Sequence, residues 1–171
     1  MNMNYYISTR KVFFSFLATA VFLWFNACTG EPAPRQDPVS ALSLDQVTGK
    51  QFRLTEIRVP QGESLIFDRE KLIEEGFEDI FTLTFDAERI SGRGAPNRYS
   101  APYELGSGKS IKIGLIAGTL MAPLRSPEKL QEAGYFSYLQ NVSQWNLQGW
   151  NLELSTKTAE GREALMIYVL E

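Results

Sequence analysis

Phe81-Thr82-Leu83-Thr84-Phe85 alternates apolar and hydroxylated side chains with period two. Successive side chains of a β-strand point to opposite faces. The run therefore predicts a half-buried strand with Phe81, Leu83 and Phe85 turned inward. The same period recurs on both sides of it. Phe52 and Leu54 alternate with Arg53 and Thr55, and Ile57 and Val59 continue on the opposite phase. A phase change inside one strand is the mark of a bulge, here near Glu56. Tyr99, Ala101, Tyr103 and Leu105 alternate as well, with Pro102 predicting an edge or a bulge because it has no N–H to give a ladder. Gly106-Ser107-Gly108 turns the chain, and Ile111, Ile113 and Leu115 alternate beyond it, the pattern of a hairpin. Trp145-Asn146-Leu147 leads into a tight turn at Gln148-Gly149, followed by Leu152 and Leu154. After Ala159-Glu160-Gly161, residues Leu165–Leu170 are apolar on both phases, as for a strand covered on both sides.

Two helices interrupt the strands. Asp68 is placed to cap a short one over Arg69–Glu75, with Gly76 at its end. Ser126-Pro127-Glu128 supplies a cap hydroxyl, a first-turn proline and an acid for the dipole. Tyr135, Tyr138, Leu139 and Val142 follow at helical spacing as one apolar stripe that needs a sheet to cover. The fold class read from these elements is mainly β: a curled antiparallel sheet or small barrel with one or two covering helices.

The 171 residues carry 44% apolar and 12% aromatic side chains, which supports a packed domain. A net charge of −3 offers no basic stripe, so no nucleic-acid partner is expected. The chain holds one cysteine and no histidine. That excludes an internal disulfide and both Ser–His–Asp and Cys–His chemistry. No P-loop, dinucleotide-binding glycine pattern or metal-ligand set is present, and Gly106-Ser107-Gly108-Lys109 lacks the phosphate-loop spacing. The chain reads as a non-enzyme with no cofactor and no metal.

Residues 1–27 follow another logic. Arg10-Lys11 precede an apolar run, Val12 to Phe25, and Ala27 stands before Cys28. This is the charged, apolar and small-residue order of a secretory signal. The run is short of the roughly 20 residues that a spanning helix needs. Phe25-Asn26-Ala27-Cys28 resembles the lipobox of bacterial lipoproteins, with Phe25 where Leu is usual. The resemblance implies cleavage before Cys28 and lipidation of its sulfur and new amine. Thr29 to Ser40, with Pro32, Pro34 and Pro38, reads as a semi-rigid tether. The expected organisation is a signal peptide over 1–27, a lipidated tether over 28–46 and a domain over 47–171. Thr29 follows the cysteine with no Asp to retain it, which by family analogy points to the outer membrane.

The domain resembles the META domain, the HslJ-like heat-shock lipoprotein family. The residues that carry the likeness are Val47-Thr48-Gly49-Lys50 with Phe52-Arg53-Leu54, Phe81–Phe85 leading to Gly92-Arg93-Gly94, and Asn97-Arg98-Tyr99-Ser100-Ala101-Pro102-Tyr103. Ile113 to Ala122, the helix positions Glu132, Tyr135, Leu139, Val142 and Trp145, and the closing pieces Leu152-Glu153-Leu154 and Leu165–Ile167 complete it. The resemblance implies a lipocalin-like barrel and a stress-related role in the cell envelope. Relatives carry Cys in a Gly-Cys-Asn and a Met-Ala-Cys motif. Pro96 and Pro123 stand at those places here, which leaves packing to hold the two loops.

Several clusters are weighed as sites. Asn97, Arg98 and Tyr99 put an amide, a guanidinium and a phenol on one loop, suited to an anionic or planar ligand; a turn followed by a strand explains them equally. Thr119 and Met121 end the central strand and pack against that loop. Asp86 and Glu88, with Glu78 and Asp79, are the one candidate carboxylate cluster, otherwise solvated surface. Trp145 and Trp150 flank a turn and suit either a contact patch or the core. Three functions follow: an envelope lipoprotein acting by protein contact, a small-ligand carrier using the barrel mouth, and, least, an enzyme. A filled interior with an apolar outer patch separates the first from the second, and a filled interior is expected.

Overall fold

A computed structural model describes residues 43–171. The signal peptide, Cys28 and the tether as far as residue 42 lie outside the described residues. Ten strands form one antiparallel sheet: β1 (Gln51–Arg58), β2 (Leu65–Ile66), β3 (Thr82–Phe85), β4 (Arg89–Arg93), β5 (Arg98–Leu105), β6 (Ile111–Ile113), β7 (Ala117–Gly118), β8 (Gln144–Gln148), β9 (Asn151–Lys157) and β10 (Glu163–Leu170). Helix α1 (Arg69–Glu74) lies between β2 and β3, and α2 (Glu132–Gln140) between β7 and β8. The main path runs β6-β5-β4-β3-β1-β10-β9-β8, with β2 on β1 and β7 on β5. Its two ends meet. Ile111 N donates to Ser143 O at 3.1 Å and Trp145 N to Lys109 O at 2.9 Å, on either side of a Ser110–Gln144 bridge. The sheet is thus nearly closed into a barrel, which leaves few unpaired edges.

Period two is legible strand by strand. Phe81, Leu83 and Phe85 are buried as expected. The β1–β10 register shifts between Leu54 and Glu56, so the predicted bulge is present and lets Phe52, Leu54 and Ile57 all face the core. Pro102 sits inside β5 rather than at an edge. Its carbonyl accepts from Gly114 N at 2.8 Å, on the side where the partner strand breaks between β6 and β7. The missing N–H of the proline falls at that break. Asp68 caps α1 through Oδ1, which accepts from Glu70 N at 2.9 Å and Lys71 N at 3.2 Å.

Three details depart from the reading of the sequence. Helix α2 starts at Glu132, not at Ser126. The intervening residues instead bury Pro127 and Leu130, and Lys129 Nζ donates to Ile66 O at 2.8 Å, contacts that a helix there would forfeit. Leu115 lies beyond the end of β6 and is 81% exposed. In β10 only Ala164, Met166 and Tyr168 are buried, and the other face stays half-open with Val169 exposed. Its apolar second face is therefore outer barrel surface.

The core runs the length of the barrel, and Leu44 and Val47, on the 3-10 turn Leu44–Val47, already belong to it. Tyr135 and Leu139 of α2 plug the interior with no exposure at all. Gly92 makes that arrangement possible: a Cβ there would overlap the Thr82 carbonyl. At Gly118 the nearest atom to an added Cβ is Arg98 O at 3.5 Å, ordinary contact. Gly92→Ala is expected to lower stability by about 3 kcal/mol, while Gly118→Ala changes it little; urea denaturation of the two variants checks this.

Candidate functional site

The loops between β4 and β5 and after β7 are tied together by one side chain. Asn97 Oδ1 accepts from Thr119 Oγ1 and from Met121 N, each at 2.7 Å. Asn97 Nδ2 donates to Met121 O at 3.1 Å and to Glu132 Oε2 at 2.7 Å. Glu132 Oε1 accepts from Ala95 N at 2.8 Å and Asn97 N at 2.7 Å. Every polar atom of the Asn97 amide is thus spent inside the protein. Glu132, at the first turn of α2, is the anchor of this clasp, and the three donors its half-buried carboxylate gathers make it strong. A lone Glu at the start of a helix carries no signal of a partner 35 residues away, which is why sequence reading missed the role.

The structure brings Asn97, Thr119 and Met121 together, but it does not bring Arg98 and Tyr99 to them. Arg98 points to solvent. Tyr99, the next residue on the strand, is buried on the opposite face. Its hydroxyl donates to Thr82 O at 2.8 Å and lies 3.1 Å from the Tyr135 hydroxyl. Tyr135 also donates to Thr82 O at 3.1 Å, and Tyr168 donates to Tyr135 at 3.2 Å. Three phenols are thus satisfied around one backbone carbonyl. Burial, and then the proximity of the other phenols, pushes all three well above the ordinary tyrosine value of 10. They stay neutral and sealed from water, a structural hub with no basic form to offer a substrate.

Outside the barrel, a groove of about 520 Å³ runs between the loop after α1 and the segment after β7. Phe77, Ile80, Pro96, Met121, Pro123 and Leu124 line it, with Glu75, Glu78 and Asp79 on one side and Arg93 and Arg125 among the rest. Pro96 and Pro123 therefore both line it. The candidate carboxylates do not assemble: Glu78 and Asp79 precede β3, whereas Asp86 and Glu88 follow it. Among the described residues no set of three His, Cys, Asp or Glu is placed to hold a metal. The two tryptophans separate too. Trp145 packs partly against the core under Lys109, and Trp150 is 64% exposed at the β8–β9 turn beside Lys50.

Comparison with known proteins adds two findings. The family profile described as META domain matches residues 45–167. A solved structure described as the NMR structure of the protein from Burkholderia xenovorans is similar at a TM-score of 0.55 and 18% identity, over 81% of this chain and 99% of that one. At that identity the likeness is one of fold. No curated protein matches the chain.

The clasp and the hub each generate an expected outcome. Glu132→Gln keeps one acceptor oxygen but sets an NH2 group against the Asn97 NH2. Turning the Asn97 amide over would oppose Met121 N and Met121 O instead. The substitution is expected to cost about 2 kcal/mol or more, read as a lower urea midpoint. The hub predicts alkaline unfolding. The folded state holds three phenolic protons that the unfolded chain releases near pH 10, so stability is full below about pH 10 and falls above it. The limiting slope is about 4 kcal/mol per pH unit for three groups, and Tyr168→Phe should remove about a third of it in a pH series of denaturation curves.

Proposed function

The chain belongs to the META domain family, and from that premise we propose that it is a non-catalytic lipoprotein of the cell envelope, anchored through Cys28, that works by contacts on the outside of its barrel. The observation that carries this is the filled interior. Phe52, Phe81, Phe85, Tyr135 and Tyr168 are fully buried, and the Phe81 and Tyr135 rings pack at 4.9 Å between centroids. A barrel filled by its own rings supports a contact protein over a carrier using the mouth. Apolar side chains project outward instead, Trp150 among them, and an exposed Trp beside a lysine suits a protein partner in the envelope. The leader and Cys28 support the location: a single thiol at the end of an apolar run is where acylation acts. A stress-related role in the outer membrane fits the same reading.

A second reading keeps one observation. The outer groove of about 520 Å³ is large enough for a small ligand and mixes an apolar floor with both signs of charge. Such a carrier would bind on the barrel wall and not within it.

Radiolabelled palmitate should enter the wild-type chain in cells, and Cys28→Ser should abolish that labelling. Undiminished labelling of the variant overturns the anchor. A small molecule retained by the purified acylated protein in native mass spectrometry would replace the contact reading with the carrier.

A further inference from the structure

We propose that the segment Thr119–Ser126 seats on an anionic phospholipid bilayer, with Leu120 and Leu124 at the acyl-chain boundary and Arg98 and Arg125 among the phosphates. The proposal rests on the Cys28 anchor proposed above, which holds the domain beside a membrane. Leu120 and Leu124 are 101% and 102% exposed, more than any other large apolar residue described, and Met121 between them is 53% exposed. From Thr119 to Leu124 the segment carries no charge, and Arg125 follows at once. Arg98 is exposed at its other side, where its carbonyl accepts from Thr119 N at 3.0 Å. Arg98 and Arg125, the latter exposed with its guanidinium 5.9 Å from the Phe77 ring centroid at the groove, thus flank an apolar tip, and this local pair, set against the net negative charge of the chain, complements a layer of phosphates over hydrocarbon.

The shape favours lipid over protein. A protein hot spot fits its anchor into a packed pocket ringed by neighbouring contacts. Leu120 stands outside the groove and Leu124 at its border keeps its whole side chain in solvent, which suits a fluid layer that needs no complementary surface. The base of the segment is fixed all the same, because Asn97 holds both Met121 N and Met121 O. The tip is therefore presented with little ordering left to lose on contact. Glu75, Glu78 and Asp79 on the far side of the groove are repelled by the same phosphates, so insertion stops at the tip. Reach is not limiting: the chain from Cys28 to Ser43 can extend roughly 50 Å at most, against a radius of gyration of roughly 14 Å for a domain of this size.

In the acylated protein the Cys28 sulfur is a thioether, so Leu120→Cys supplies one free thiol for a polarity-sensitive fluorophore. Ser107→Cys, in the turn at the opposite end of β5, supplies the control. Full-length acylated protein is reconstituted into vesicles of phosphatidylglycerol and phosphatidylethanolamine. The label at position 120 should brighten several-fold, shift to the blue and be quenched by brominated lipid, while the label at 107 does not respond. Equal emission at the two positions overturns the proposal, as does a response that requires added envelope protein. Mass spectrometry reads the anchor separately. Should Cys28 carry no lipid, co-sedimentation of that chain with excess vesicles decides the loop alone. Leu120→Asp with Leu124→Asp should then weaken binding by about a hundredfold, about tenfold for each leucine, and unchanged binding overturns the proposal.

Discussion

Closing a sheet on itself creates an interior without water, and every polar atom carried into it must find a partner there. In this barrel the requirement falls on three phenols, and one carbonyl meets it. The Thr82 oxygen turns away from the strand ladder to receive Tyr99 and Tyr135, and Tyr168 completes the chain through Tyr135. That turn needs room and a backbone change. Gly92 leaves the room, and Phe81 just before Thr82 adopts a left-handed φ of 54°. Non-glycine residues rarely take that conformation. The interior, the helix that plugs it and the strand start of β3 are thus one solution to one problem.

Helix α2 is held at two points of different chemistry. Tyr135 enters the hub, and Glu132, one turn earlier, gathers the backbone of Ala95 and Asn97. The clasp then reaches through Asn97 to Thr119 and Met121. Pro96 and Pro123, at the places where the resembled family carries cysteines, line the same groove. The two loops are therefore brought together here without a disulfide, by a charged hydrogen-bond network as well as by packing. A network of this kind fixes geometry only when all its members are satisfied, and each polar atom of the Asn97 amide is.

Local patterns made much of the fold legible. The alternation at Phe81–Phe85, the phase change at Glu56, the Asp68 cap and the glycine turns all depend on neighbours in sequence, and all have their counterparts in the structure. Features set by distant contacts were not legible. The start of α2 is decided by the burial of Pro127 and Leu130 and by Lys129 reaching Ile66, none of which shows in a capping pattern. Asn97-Arg98-Tyr99 reads as one cluster in sequence, yet strand alternation sends Tyr99 inward and Arg98 outward. The second apolar phase of β10 reads as double burial, yet among the described residues the outer face of the barrel stays half-open there.

That last point bears on what the molecule does. A small barrel can hold a ligand within or be filled by its own side chains, and space forbids both. Here the rings of Phe52, Phe81, Phe85, Tyr135 and Tyr168 occupy the interior. On the contact reading proposed above, recognition then falls to the outer wall and the loop ends. At one end the clasp holds the base of Thr119–Ser126 while Leu120 and Leu124 stand in solvent. Exposed leucines on a rigid base carry an unfavourable hydration free energy in the free protein and have lost little freedom by the time they are covered. The filled core and the bare loop are then two sides of one choice: the interior supplies rigidity, and the exterior is left to supply the contact we propose.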